Sequence, residues 1–296
     1  MKRVSHILCP TDFSPLSKRA VRIAVRAAKD LRAKLTILHV DEVSSMNVTD
    51  FMVLEGLRQE SRRRIEKRIR SLQKAQDLSR VRFVIEEGNP HEVIVDQVNE
   101  LGADLLVMGT HGESGWKALH LGSIAERVLH VSPIPVLFIP DMGQRDPFLR
   151  KTKRILLSAD LGYTSKETVA YAIDLAKTFE AELEVLNVAY PSDELFPELG
   201  SFWARSDLVE IKAELERKRV DALEKLLPPS TTKKLKVRMA VKEGEPHEVI
   251  DQTAHERRID LLVMGAQGRG QSELGWIGST TQKVLRLGAC ATLVVK

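Results

Sequence analysis

The chain of 296 residues has only two cysteines, Cys9 and Cys290, and both lie inside apolar runs without metal-ligand spacing. That scarcity excludes a disulfide-stapled secreted scaffold and a cysteine-rich zinc module, and the two thiols read as reduced core residues. An excess of one charge is missing too. Lys and Arg total 45 against 41 Asp and Glu, a net charge of +4 that gives no argument for a nucleic-acid partner. No apolar run approaches the roughly 20 residues of a membrane span, and the first ten residues lack a long apolar stretch of the export type, so a cytoplasmic protein with no membrane contact is expected. Two familiar nucleotide signatures are absent: no G-x4-G-K-[ST], and no G-x-G-x-x-G after the first apolar run of either half. The loop after that first run, Pro10-Thr11-Asp12-Phe13-Ser14, is not the serine- and glycine-rich loop suited to enzymes that split ATP at the α-phosphate. No nucleophile–base pair and no carboxylate cluster for two metals stands out, so the sequence argues for no catalytic residue.

What is present begins with composition. A hydrophobic content of 43% beside 29% charged residues is that of a globular protein, and the length gives two ordinary domains each able to bury a core. The organising stretch is Met108-Gly109-Thr110-His111-Gly112, followed by Gly122-Ser123. Leu105 to Met108 is a short apolar run of the kind that forms a strand buried on both faces. Gly109 and Gly112 leave backbone bare, and Ser123 reads as the N-cap of a helix holding Ile124, Val128 and Leu129. A helix start reached from a strand through a glycine loop attracts phosphate through free N–H groups and the helix dipole. The pattern recurs as Leu261 to Gly268 followed by Gly278-Ser279.

Around these two loops the chain alternates strands and helices. Strands are expected at Val4 to Cys9, Leu35 to Val40, Val81 to Ile85, Leu105 to Met108 and Pro135 to Ile139. Helices are expected at Pro15 to Leu31, capped by Ser14, at Thr49 to Ala75, after Gly88-Asn89-Pro90, and at Ser123 to Val131. Residues 141–153 read as a linker, and the series restarts. Arg154 to Leu157 repeats the first strand, Asp160 stands for Asp12, Thr164 to Phe179 repeats the first helix, Leu183 to Val188 the second strand and Ser206 to Leu227 the charged helix. Glu87 to Ile94 and Glu243 to Ile250 repeat almost letter for letter. A βα series of this kind forms a parallel sheet with right-handed crossovers and helices on both faces, here as a duplicated domain at 1–140 and 154–296.

Both halves resemble universal stress protein domains, and the chain is similar to a tandem universal stress protein. The residues that carry the resemblance are Pro10-Thr11-Asp12-Phe13-Ser14, His39-Val40, Gly88-x-Pro90-His91-Glu92 and the G-x2-G-x9-G-S pattern of Gly109 to Ser123. Asp160, Asn187-Val188, Gly244 to Glu248 and Gly265 to Ser279 correspond in the second half. The resemblance implies two Rossmann-like α/β domains, each a five-stranded parallel sheet, binding ATP, with Mg²⁺, at the ends of strands one and four. It further implies pairing through the final strands, here within the chain by Ile134 to Ile139 and Ala291 to Val295, with a homodimer of chains possible. Carried over residue by residue, Asp12 lies against adenosine in a pocket shaped by Pro10 and Thr11, and the backbone of Val40 meets adenine. Met108 and Gly109 line the ribose side, Gly112 and Gly122 admit the phosphates, and Ser123 binds a phosphate oxygen. Asp160, Val188, Met264, Gly265, Gly268, Gly278 and Ser279 inherit these roles.

The functional expectation is a cytoplasmic stress-signalling protein that acts through its nucleotide state, the alternatives being a slow ATP hydrolase and a protein-binding scaffold with relic pockets. Because Ser158-Ala159 replaces Pro10-Thr11 and Gly162 stands in place of the capping Ser14, the first pocket is expected to bind ATP more tightly. His91 and His247 read as local hydrogen-bonding residues. His111 is placed to touch phosphate, although its counterpart is Gln267. The run Arg62-Arg63-Arg64 with Lys67, Arg68 and Arg70 reads as a solvated helix face, and Trp116 and Trp276 as local packing.

Overall fold

The computed structural model describes residues 4–42, 51–76, 81–112, 121–141, 152–189, 205–232, 235–267 and 277–296. The chain divides into two compact units, residues 2–143 and 144–296. In the first, strand β1 (His6–Pro10) leads to α1 (Pro15–Leu31), β2 (Lys34–Asp41) and α2 (Phe51–Gln76). Strand β3 (Arg82–Glu87), α3 (Pro90–Leu101), β4 (Leu105–Gly109), α4 (Ser123–Val131) and β5 (Val136–Ile139) complete it. The sheet order is β3-β2-β1-β4-β5, and every pairing is parallel. Each residue of β5 and the first four of β4 are buried, because helices cover both faces and no position along the pleat reaches water. Leu8, Ile37, Leu106 and Phe138 form the fully buried middle.

The second unit repeats the pattern with β6 (Arg154–Ser158), α5 (Lys166–Phe179), β7 (Glu182–Ala189), α6 (Arg205–Leu226) and the single turn α7 (Pro229–Thr232). It closes with β8 (Val237–Glu243), α8 (Pro246–Glu256), β9 (Leu261–Gly265), α9 (Ser279–Leu287) and β10 (Ala291–Val295). Its strands run β8-β7-β6-β9-β10, again all parallel. In each unit the order reverses between the first and fourth strands, which opens a crevice beyond their carboxyl ends.

Local chemistry accounts for the element ends, and it corrects two sequence readings. Ser14 does cap α1, its Oγ accepting from the Ser17 N–H at 3.2 Å. The second unit has not lost this cap. Its helix starts at Lys166 instead of Thr164, and Ser165 caps it by accepting from the Thr168 N–H at 3.0 Å, so Gly162 belongs to a longer preceding loop, with φ 95°. At α4 the N-cap is Gly122 and Ser123 is the first helical residue; Gly278 and Ser279 repeat this at α9. Neither N-cap residue supplies a side-chain hydrogen bond, which leaves the first-turn N–H groups without that partner. The duplicated aspartate before the fourth strand also has a structural task. Asp104 accepts from the backbone of Ser5 and His6 at 2.8 and 3.1 Å, and Asp260 from Lys153 and Arg154 at 2.6 and 2.9 Å, tying the first strand of each unit to the fourth.

Candidate functional site

The crevice of the first unit is a cavity of about 610 Å³, in the middle of the range for small-molecule sites. Its walls gather all nine sequence-expected residues of this half: Pro10, Thr11 and Asp12 after β1, Val40 in β2, Met108 and Gly109 ending β4, Gly112, and Gly122 and Ser123 at the start of α4. The loop holding Asp12 is pinned from three sides. Thr11 N–H donates to the Leu38 carbonyl at 2.8 Å, the His39 ring Nδ1 lies 2.7 Å from the Thr11 carbonyl, and Ser14 N–H donates to Asp12 Oδ1 at 3.0 Å. The Thr11 hydroxyl is spent within the loop, accepting from Phe13 N–H at 3.1 Å and lying 3.0 Å from Ser17 Oγ, so this residue shapes the wall instead of offering its hydroxyl.

The glycines meet the protein's own atoms. A Cβ on Gly112 would stand 2.8 Å from Asp12 Oδ2, which places this carboxylate directly against the loop. A Cβ on Gly122 would stand 3.1 Å from the Thr110 carbonyl and 3.2 Å from His111 Cα, where the Gly122 N–H already donates to Thr110 O at 2.8 Å. Gly122 therefore lets the start of α4 cross over the strand-end loop. Thr110 Oγ1 and His111 Nδ1 lie 2.9 Å apart; the Nε2 of His111 is buried and has no hydrogen-bond partner among the described residues.

Sequence reasoning missed several wall residues. Pro90 and Ile94 line the cavity from α3, which explains why the repeated Gly-x-Pro-His-Glu segment matters beyond starting a helix; its Gly88 has φ 140°. Arg64 and Arg68 line it from α2. Arg62, Arg63, Arg64, Lys67, Arg68 and Arg70 are all exposed, as a solvated helix face requires, and Arg64 and Arg68 border the cavity from that exposed face. The Arg68 guanidinium lies 5.6 Å over the Phe13 ring, whose other neighbour is His39, with ring centroids 4.7 Å apart. His91 and His247 approach single carboxylates at 3.9 and 3.8 Å. Trp116 and Trp276 lie outside the described residues, as does the stretch 142–151 of the expected linker.

In the second unit the corresponding cavity measures about 270 Å³ and gathers Asp160, Val188, Met264, Gly265, Gly278 and Ser279, while Gly268 lies outside the described residues. The Ser158-Ala159 wall is tied as the first one is, with Ala159 N–H donating to Leu186 O at 2.8 Å and Asn187 Nδ2, in place of His39, donating to Ala159 O at 2.8 Å. The difference between the pockets thus lies elsewhere. Four residues separate Asp160 from the capping Ser165 where one separates Asp12 from Ser14, and one of the added residues, Thr164, enters the cavity wall. Among the described residues no helix is long and apolar enough to cross a membrane.

Comparison with known proteins agrees with this architecture. The profile of the universal stress protein family matches residues 3–140 and again residues 151–296. Universal stress protein YxiE of Bacillus subtilis is 32% identical over 143 residues, spanning 45% of this chain and 97% of its own length. The universal stress protein E homolog of Haemophilus influenzae is 23% identical over 301 residues, covering 94% of this chain and 91% of itself. Among solved structures, that of a universal stress protein from Archaeoglobus fulgidus superposes with a TM-score of 0.69 over 99% of this chain and 97% of its own, at 19% identity. With one family domain folded in each half around the same crevice, the chain belongs to the universal stress protein family, in a tandem form.

Proposed function

We propose that the first half binds ATP, with Mg²⁺, and that the bound nucleotide sets the conformation or partner choice of a cytoplasmic stress-response protein. The carrying observation is the cavity of about 610 Å³ at the strand-order reversal, where the Asp12 carboxylate, the bare backbone of Gly109 and Gly112 and the uncapped start of α4 share one wall. Each feature suits a different part of the ligand. A carboxylate accepts from ribose hydroxyls, the apolar Met108 and Ile94 flank a ring, and first-turn N–H groups with the helix dipole favour phosphate oxygens. Arg64 and Arg68 add positive charge from α2. Mg²⁺ is held in this reading mainly by phosphates and water, as it commonly is. No three His, Cys, Asp or Glu side chains converge among the described residues to claim it.

Chromatography of the supernatant from denatured purified protein tests occupancy, with adenine nucleotide as the expected outcome. Calorimetry tests the site: Asp12→Ala removes a charged acceptor whose hydrogen bonds are worth about 1.5–3 kcal/mol, so ATP affinity should fall at least about tenfold. A folded Asp12→Ala protein with unchanged affinity would overturn the assignment.

A further inference from the structure

The near-even charge of the whole chain conceals an uneven distribution between its halves. Helices α1 and α2 together carry thirteen Lys and Arg against four Asp and Glu, whereas their counterparts α5 and α6 carry eight of each sign. The two basic helices share one face of the first sheet. In the order β3-β2-β1-β4-β5 the steps from β1 to β2 and from β2 to β3 run the same way, so right-handed crossovers put α1 and α2 on one side and α3 and α4 on the other. The Arg68 guanidinium of α2 lies over the ring of Phe13, just before α1 begins, which brings the two helices together. The opposite face has none of this excess: α3 holds Glu92, Asp96 and Glu100 with no Lys or Arg, and α4 holds Glu126 and Arg127.

The cations of this face are held out to water. On α1, Lys18, Arg22 and Lys29 are exposed and fall on one stripe, with Arg26 between them. On α2, Arg62, Arg63 and Lys67 are exposed. Among the described residues Arg22, Lys29, Arg62, Arg63 and Lys67 form no ion pair, unlike Arg26 with Asp30, Arg64 with Glu60 and Arg70 with Glu66. From Lys18 to Lys29 the stripe is about 16 Å long, a span over which a duplex presents roughly ten phosphate charges. The composition of the face selects among polyanions. A helix that binds a lipid surface sets large apolar groups beside its cations, but the exposed ones described here, Ile124, Val131, Tyr163, Leu215 and Leu287, all lie outside α1 and α2. Unstacked bases need aromatic platforms, and α1 has no aromatic residue while α2 has only Phe51 at its first position. Duplex RNA is told apart by side chains that hydrogen-bond its 2′-hydroxyls, whereas this face presents charge alone, which suits the phosphate backbone of duplex DNA.

We propose that the α1–α2 face of the first half docks duplex DNA through its phosphates, without reading sequence. Arg22, Lys29, Arg62, Arg63 and Lys67 carry the contact, and none of them lines the cavity proposed for ATP, so the surface is an addition to that reading and does not depend on it. Binding of this kind has a dissociation constant of about 10⁻⁶–10⁻⁴ M at physiological salt.

The test is fluorescence anisotropy of a labelled DNA duplex of mixed sequence, titrated with the full chain at several salt concentrations. Five cations that each neutralise a phosphate give a slope of about −4.5 in log affinity against log salt, or about a 500-fold loss between roughly 50 and 200 mM. Replacing four of them together, by Arg22→Gln, Lys29→Gln, Arg62→Gln and Arg63→Gln, should flatten the slope to about −1 while far-UV circular dichroism stays unchanged. Arg217→Gln with Lys225→Gln, which removes exposed cations of α6, should alter neither affinity nor slope. Failure to bind the duplex, or a slope that the four substitutions leave in place, would overturn the proposal. So would an equal loss in the α6 variant, tighter binding of duplex RNA or single-stranded DNA, or displacement of the duplex by phosphatidylserine vesicles at matched phosphate. Each outcome is separate from the fate of the ATP site, because the substituted residues lie outside its walls.

Discussion

Phe13 sits at φ 62°, in the left-handed region that a bulky side chain avoids, yet it is 4% exposed and held between the His39 ring and the Arg68 guanidinium. A left-handed residue costs about 1–2 kcal/mol, and burying a phenylalanine contributes about 1.5–3 kcal/mol with a further 0.5–1.5 kcal/mol from ring contacts, so packing wins. Phe13→Ala should therefore destabilise the first half by about 3–5 kcal/mol in urea titration. Phe13→Gly should cost less than Phe13→Ala, the reverse of the usual order, because glycine adopts positive φ freely. The opposite ranking would mean that this backbone carries no strain.

The two cysteines make a second residue-scale case. Burial pushes the Cys9 thiol far above its ordinary range and that of Cys290 up to about 12. Neither should react with a thiol reagent in the native state, and labelling should follow unfolding. A thiol whose folded pKa is raised lends stability below its unfolded pKa of about 8.5, and that stability is lost as pH climbs toward the folded value. Melting temperature should thus fall between pH 8.5 and 10 more steeply in the wild type than in Cys290→Ala, and parallel slopes would contradict the burial argument.

Among the elements, the caps give a direct comparison. Ser14→Ala and Ser165→Ala should each cost about 1 kcal/mol, because each side chain accepts one first-turn N–H. A negligible effect of Ser165→Ala would restore the view that the second half lacks a cap. Gly112→Ala forces its Cβ against Asp12 Oδ2, so it should lower ATP affinity with little change in stability, while Gly122→Val collides with backbone and should destabilise the half itself. These elements also show which features the sequence makes legible. Two-sided burial writes strands β4 and β9 as continuous apolar runs, so both were readable, and Ser14-Pro15 announces α1. The α5 start was misread because the extra length between Asp160 and Ser165 keeps the same capping chemistry but moves it along the chain. Arg68 and Arg219 escaped notice for another reason. A charged helix carries arginines on several faces, and which of them meets a pocket depends on how the helix packs on its sheet, a long-range fact that spacing alone does not encode.

At the scale of the whole molecule, sequence duplication has preserved the fold of each half more faithfully than its cavity. The strand orders match, the tie of the second strand to the first loop is kept by His39 in one half and Asn187 in the other, and the volumes differ more than twofold. Hydrogen exchange with saturating ATP should accordingly show new protection around residues 10–12 and 108–112 and little around 158–160. Equal protection in both stretches would argue that the pockets share a ligand. At a ligand concentration a hundredfold above Kd the occupied half should gain about 2.7 kcal/mol, visible as an upward shift of its thermal transition.

The described walls of the first cavity run from Pro10 to Ala125 and those of the second from Ser158 to Thr281, with no residue shared. During synthesis the chain therefore completes one receptor before it has begun the lining of the other. Domains fold as units and the earlier one folds first, so on the proposed ATP reading the nucleotide would load the leading half and hold it folded while the trailing half is still emerging from the ribosome.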